Sequence, residues 1–198
     1  MPRLILASTS RYRAGLLGRL GLPFDQESPG VDESGHPGEA PRALAIRLAR
    51  AKAEVVASRH PGAWCLGSDQ VAVLGGEVLG KPMTVERCVA QLMAASGREV
   101  VFLTAACLAN VDDPFLREHV DETRVRFREL GEPEVRRYVE IEQPLDCAGG
   151  FKCEGLGIAL FERIDSSDPT ALIGLPMIWV AQALREAGLD PLGDTRND

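Results

Sequence analysis

Stretches of apolar residues at strand spacing alternate with stretches at helical spacing along the 198 residues of the chain, a pattern that predicts an α/β fold with a sheet covered by helices. Arg3 to Leu6 reads as a short buried strand. Ser8-Thr9-Ser10 then opens a helix over Arg11–Leu20, with Leu16, Leu17 and Leu20 on one face and Gly21 as its stop. Gly30 to Gly38 is a polar, acidic loop. Pro41 fits a first helical turn, and Leu44, Leu48, Ala51 and Val55 recur at helical spacing to about Arg59. Trp64 to Val73 is strand-like, and Gly75-Gly76 supplies the two-residue turn of a hairpin that returns through EVLGKP.

Thr84 to Ala95 is a second amphipathic helix, and Glu99–Val111 and Glu118–Arg128 alternate as two long strands. Glu132–Ile141 reads as a helix, Gly155–Phe161 as a strand and Met177–Ala187 as the last helix. The tail from residue 193 to 198 is expected to fray. No linker, repeat or low-complexity tract interrupts residues 1–198, so one domain is expected.

Charge narrows the functions. Twenty-two Lys and Arg against 29 Asp and Glu leave a net charge of −7 and a pI near 5.1. An acidic chain with 5% aromatic residues is poorly suited to DNA or RNA, which need a basic surface. The longest uncharged stretch, Pro169–Leu184, has 16 residues and contains a proline and a glycine, short of the roughly 20 that cross a bilayer. The N-terminal apolar run before Ser8 is too short for a secretory signal. A cytoplasmic protein with no membrane partner is expected. Five cysteines, an odd number with no C-x₂-C pair, read as reduced, mostly packed thiols rather than a disulfide framework or zinc site.

Four segments place polar groups where a core would want apolar ones. In LASTSRYR, a strand runs into hydroxyls and a helix start, which suits an anion, with Arg13 one turn in; simple capping by Ser8 or Ser10 is the other reading. Asp32 and Glu33 lie adjacent in a loop, either as cation ligands or as solvated acids. Lys52 falls one i+4 step beyond Leu48 and so borders its helix's buried stripe, either snorkelling or facing a phosphate. In GSDQVAVLGGEVLGKP the Gly-Gly turn sets a register that pairs Gln70 with Lys81 and leaves Asp69 beside them. That brings a carboxylate and an ammonium to one hairpin's open end, for water or metal and phosphate respectively, or as an ordinary cross-strand ion pair. Later, in CAGGFKCEG, the glycines imply close backbone approach, and Lys152 and Glu154 share a face if the segment is extended. Cations, hydroxyls and carboxylates together suit a metal-bound polyphosphate.

Taken in order, LILASTSRYRAGLL, VDE, LARAKA, GSDQVAVLGGEVLGKP, SGREVVFLTA, CAGGFKCEGLG and IGLP resemble the Maf family of nucleotide pyrophosphatases over about residues 3 to 192. GSDQ and FKCEG are similar to the branch acting on 7-methyl-GTP; branches preferring dTTP, UTP or CTP carry Thr after the Asp and Gln for the Glu. The resemblance implies a long mixed sheet with two lobes and a central cleft, of the inosine-triphosphatase type. It implies hydrolysis of a nucleoside triphosphate to monophosphate and pyrophosphate with Mg²⁺ or Mn²⁺, and a possible homodimer. By the same resemblance Asp69 matches the proton acceptor, and Glu33 and Lys81 fall on functional positions beside it; Glu33 and Asp69 can share the metal, and which of them is base and which mainly ligand is left open by the sequence. Ser8, Arg13 and Lys52 bind phosphate, and Tyr12, Gln70 and Glu154 choose the base. Arg11 departs from the Pro common in the motif, and Gly150 is a smaller departure. Two other readings are a dTTP or UTP pyrophosphatase of the same family and a nucleotide-binding regulator of septum formation without turnover.

Overall fold

The computed structural model describes residues 2–193. A seven-stranded mixed sheet forms its centre. In chain order the elements are β1 (Leu4–Leu6), α1 (Arg11–Gly18), β2 (Asp25–Gln26), α2 (Pro41–Arg59), β3 (Trp64–Leu74), β4 (Glu77–Leu79), α3 (Val85–Ala95), β5 (Glu99–Asn110), β6 (Asp113–Phe127), α4 (Glu132–Glu142), β7 (Phe161–Asp165) and α5 (Met177–Glu186). Across the sheet the order is β2-β1-β3-β5-β6-β7; β1 runs parallel to β2 and β3, and the remaining pairs are antiparallel.

The helix and strand boundaries follow local chemistry. Ser10 and Thr84 cap α1 and α3 by accepting from the backbone N–H three residues on. Pro41 starts α2, where its missing N–H costs nothing. Gly75 and Gly76 both take the left-handed backbone that a two-residue hairpin needs, and the pairs Leu74–Glu77, Val73–Val78 and Ala72–Leu79 have the expected register.

Three expectations are corrected. Residues 155–161 are not a strand: Leu156–Leu160 form a 3₁₀ turn and β7 begins only at Phe161. Gly157 explains the turn, because any side chain there would run into the Lys152 carbonyl. The buried face of α2 is Ala45, Leu48, Ala49, Lys52, Ala53, Val56 and Ala57, so Lys52 lies inside the buried stripe, not at its border. Pairing of Gln70 with Lys81 does not occur, since β4 ends at Leu79; Gln70 pairs only on the strand's other edge, with Thr104 of β5. Strand β6 reaches further than predicted toward its hairpin, starting at Asp113, while β5 ends at Asn110. The tail expected to fray lies, beyond residue 193, outside the described residues.

One face of the sheet packs α2 against Ile5, Ala7, Cys65, Val71, Leu103 and Ala105. The opposite face carries α1 and α5 over Leu4, Leu6 and Leu66, and α3 and α4 over Ala72, Phe102 and Val125. Helix α2 crosses β3 at Gly67, where an added Cβ would strike the Ala49 carbonyl and the Ala53 amide. This contact seats the helix close to the sheet.

The edge of β3 on the β1 side has a gap. Strand β1 pairs only with Trp64–Leu66 and β4 only with Ala72–Leu74. Residues 67–71 between them have no strand on that side, and a cleft of about 820 Å³ opens there.

Gly67→Ala should push α2 away from β3 and lower stability by about 2 kcal/mol, the range of an overpacked core. For a chain of this size that is a fall in Tm of roughly 4–8 °C, which a thermal melt followed by circular dichroism checks.

Candidate active site

The cleft is built from several parts of the chain. The β1–α1 turn and the first turn of α1 supply Ser8, Tyr12 and Arg13; the 28–33 loop supplies Glu33; α2 and β3 supply Lys52, Asp69 and Gln70. The β4 exit supplies Lys81 and the 146–154 segment supplies Glu154. All nine site residues expected from the sequence therefore line one cavity, and they do so from separate elements.

Lys52 is 4% exposed and its Nζ is held at 2.7 Å by Asp69 Oδ1 and at 2.5 Å by Glu33 Oε1. Asp69 is buried on β3; Glu33 is half-exposed on its loop. Burial alone would raise the Glu33 carboxyl. The hydrogen bond from Lys52 and the charges of Lys52, Lys81 and Arg13 together outweigh it, and the group ends below the usual carboxylate range. Arg13 feels the converse. Burial lowers its guanidinium from its ordinary value, and the charges of Asp69 and Glu33 offset only part of that fall. Arg13 Nη1 reaches Ser8 Oγ at 3.4 Å and Nε donates to the Gly174 carbonyl at 3.1 Å.

Ser8 Oγ accepts from the Ser10 amide, so the turn closes on itself while Ser10 caps α1. The segment thus caps a helix and lines the cleft at once. Arg11 takes the first helical position without disturbing α1. Its guanidinium lies 4.9 Å from the Tyr12 ring centroid and donates to the Tyr12 hydroxyl at 2.9 Å. One face of Tyr12 is thereby occupied by the protein's own cation.

Gln70 is fixed more tightly than its sequence suggests. Its Nε2 lies 3.0 Å from Thr104 Oγ1, 3.1 Å from the Ala171 carbonyl and 3.1 Å from the Leu172 carbonyl. Two of these can only accept, so the amide nitrogen faces the loop and Oε1 is left as an acceptor for the cleft. In the base-side loop, Lys152 and Glu154 do not share a strand face. Residues 153–155 form a turn, Lys152 Nζ is spent on the Glu142 carbonyl at 2.6 Å, and Glu154 alone lines the cleft. Gly149 and Gly150 take left-handed backbone, with Phe102 and Cys88 close to where side chains would stand. Gly150 therefore suits its place. Beside this loop burial pushes the Cys147 and Cys153 thiols up to about 12, so they stay protonated.

The sequence reading missed the segment that aligns these groups. Residues 166–176 turn back over the sheet and offer three carbonyls. Gly174 O accepts from Arg13 and from Ser68 Oγ, and Ala171 O and Leu172 O accept from Gln70. Buried Asp168 pins the segment, accepting from the Thr170 amide at 2.8 Å, the Thr170 hydroxyl at 2.6 Å and the Ile178 amide at 2.6 Å. The signal was present in Asp168-Pro169-Thr170 ahead of the last helix, a capping pattern. Gln91 has a similar place on the other rim, donating to the Gly80 carbonyl at 3.0 Å just before Lys81.

No helix among the described residues is long and apolar enough to cross a membrane. None of them forms a group of three or more His, Cys, Asp or Glu able to cage a metal. Glu33 and Asp69 nevertheless converge on one ammonium, so two carboxylates meet at one point of the cleft. That fits Mg²⁺, which commonly takes one or two carboxylates and completes its shell with substrate phosphates and water.

A family model described as Maf-like protein matches residues 3–187. The chain is 58% identical over 188 residues to the 7-methyl-GTP pyrophosphatase of Xanthomonas campestris pv. campestris, covering 95% of this chain and 97% of that one. It is 50% identical over 190 residues to the 7-methyl-GTP pyrophosphatase of Pseudomonas aeruginosa, covering 96% and 99%. Among solved structures, the Staphylococcus aureus Ham1 protein overlaps 64% of this chain and 72% of its own at TM-score 0.47 and 14% identity, too loosely to bear on the site.

Asp168→Ala removes the acceptor of three short hydrogen bonds. With charged-group bonds at about 1.5–3 kcal/mol each and incomplete additivity, a loss of roughly 3 kcal/mol is expected. Amide exchange at Ala171–Gly174 should accelerate while exchange in β5 does not, which hydrogen–deuterium exchange reads directly.

Proposed function

The chain belongs to the family of Maf-like proteins, and on that footing we propose that it hydrolyses 7-methyl-GTP to 7-methyl-GMP and pyrophosphate, a house-cleaning reaction on modified nucleotides. The observation that carries the reading is the convergence of Lys52, Asp69 and Glu33 with Arg13, Ser8 and Lys81 on one cleft in an otherwise acidic protein.

In this reading water adds to the α-phosphorus, the α–β anhydride bond breaks, and pyrophosphate departs with the bond's electron pair. Asp69 accepts the water's proton. Its Oδ1 is engaged by Lys52, so the second carboxylate oxygen receives it. Charge building on the bridging oxygen and the β-phosphate is met by Arg13, Lys52 and Lys81. Ser8 Oγ and the turn before α1 hold the phosphate chain. Glu33 and Asp69 are the residues that would hold Mg²⁺ or Mn²⁺; the ion, when bound, neutralises phosphate charge.

Base choice follows from acceptors. Gln70 Oε1 and the Glu154 carboxylate can both take N–H donors of a guanine edge, and the charge of Glu154 offsets the positive charge of a 7-methylated ring. Uracil and thymine offer one N–H between two carbonyls and cytosine one amino group beside two acceptors, so none of them brings guanine's adjacent pair of N–H donors to these two acceptors. Tyr12 offers the cationic base the ring face that Arg11 leaves uncovered. The nucleotide is the only partner this chemistry needs. Every site residue comes from a single chain, so a homodimer, which family likeness suggests, is not required to complete the cleft. The setting we assign is the cytoplasm.

Two measurements test the reading. Asp69→Asn keeps the shape of the side chain and removes the base; kcat for pyrophosphate release should fall by about 10²–10⁴-fold. A folded variant retaining more than about a tenth of wild-type kcat would remove Asp69 from that role. Steady-state kcat/KM for 7-methyl-GTP, GTP, dTTP, UTP and CTP should rank 7-methyl-GTP first, and Glu154→Gln should narrow or reverse the preference. Efficiency on dTTP or UTP equal to that on 7-methyl-GTP would favour the other branch of the family.

A further inference from the structure

Lys52 is tied down more firmly than a phosphate ligand has to be. A lysine that only greeted substrate would aim its ammonium at the open cleft. Here Nζ sits 2.5 Å from Glu33 and 2.7 Å from Asp69, with 4% of the residue exposed. Two of its three donors are used by the two carboxylates that the functional reading gives to the divalent ion. The ammonium therefore lies between the oxygens that such an ion would need.

We propose that Lys52 is a built-in counter-cation that occupies the metal position of the nucleotide-free protein, so that a divalent ion is taken up together with the nucleotide and not before it. This rests on the reading of the site as a metal-assisted pyrophosphatase. An ammonium and a dication cannot both stand within bonding distance of the same two carboxylate oxygens, because like charges at that separation repel strongly in a site shielded from water. Two carboxylates and one ammonium, with Arg13 and Lys81 also acting on the site, leave no net negative charge for a free dication to gain by entering. A triphosphate changes the balance. Its oxygens offer new acceptors to Nζ, and the lysine's flexible four-carbon stem lets the ammonium swing from carboxylate to phosphate.

Structure also says which partner yields. Asp69 is held on β3, paired across to Ala105 of β5. Glu33 stands half-exposed on a loop flanked by Gly30 and Gly38, both in left-handed backbone. Glu33 can follow the ammonium or the ion, while Asp69 stays in place to act on water.

The test is Mn²⁺ binding to the nucleotide-free protein, read from the electron paramagnetic resonance signal of the free ion. Lys52→Met keeps the buried stem and removes the charge. It should bind Mn²⁺ at least about tenfold more tightly than wild type. Wild-type protein gives a second reading that needs no variant. Its Tm should not move with Mn²⁺ alone. It should rise further with Mn²⁺ plus a non-hydrolysable 7-methyl-GTP analogue than with the analogue alone. Lys52→Met binding Mn²⁺ no more tightly than wild type would overturn the proposal. So would a wild-type Tm that Mn²⁺ raises equally with and without the analogue. Pyrophosphate release by wild type with Mg²⁺, measured separately, tests the functional reading, so a failure of either shows in its own experiment.

Discussion

The close approach of α2 to β3 is the constraint on which the site depends. Gly67 has no side chain, and Ala49 and Ala53 of α2 lie over it. One helical turn from Ala49 along α2, and two residues from Gly67 along β3, stand Lys52 and Asp69. Only a helix seated this near the sheet lets a lysine stem lie buried and end at a strand carboxylate 2.7 Å away. A larger residue at the crossing would separate the two partners of this buried ion pair.

The second constraint is topological. Strand β3 is shared end to end by β1 and β4 along one edge, and neither covers its middle. A continuous partner strand would bury residues 67–71 on that side. Their absence from the ladder exposes a stretch of sheet that is rigid because β5 pairs with it along its whole other edge. Asp69 and Gln70 gain from such placement: their backbone is fixed while their side chains form the wall of the cleft. The loop from Ser166 to Pro176 completes the arrangement, since its carbonyls orient Arg13 and Gln70 and its own shape is held by Asp168.

Electrostatics explains why an acidic chain can bind a polyanion. Most surface arginines are already matched with acids, as in Arg50 with Glu118 and Arg47 with Glu39. The cleft concentrates Arg13, Lys52 and Lys81 within low-dielectric walls, where charge acts more strongly than on the surface. At its other end the cleft offers acceptors, because Gln70 has spent its amide nitrogen on the protein and the Glu154 carboxylate has no donor.

Much of this was readable in the residues alone. Helical spacing and a first-turn proline placed α2 from Pro41 to Arg59, and the Gly75-Gly76 pair set the hairpin register, because these signals are local. Polar residues at core-like positions picked out Ser8, Arg13, Lys52, Asp69 and Lys81, since burying such groups is costly unless they are used. The rest depended on distance in space. Whether Lys52 bordered or filled the buried stripe depended on which side of α2 the sheet lay. Gln70 could not be separated from Lys81 until β4 was seen to stop at Leu79, and the strand expected at 155–161 was displaced by a contact between Gly157 and Lys152. That Lys52 bridges Glu33 and Asp69, and that one carbonyl at Gly174 holds both Arg13 and Ser68, joins residues far apart in the chain. Sequence spacing names the groups; only tertiary packing sets which of them share a hydrogen bond, because those energies vanish beyond a few ångströms.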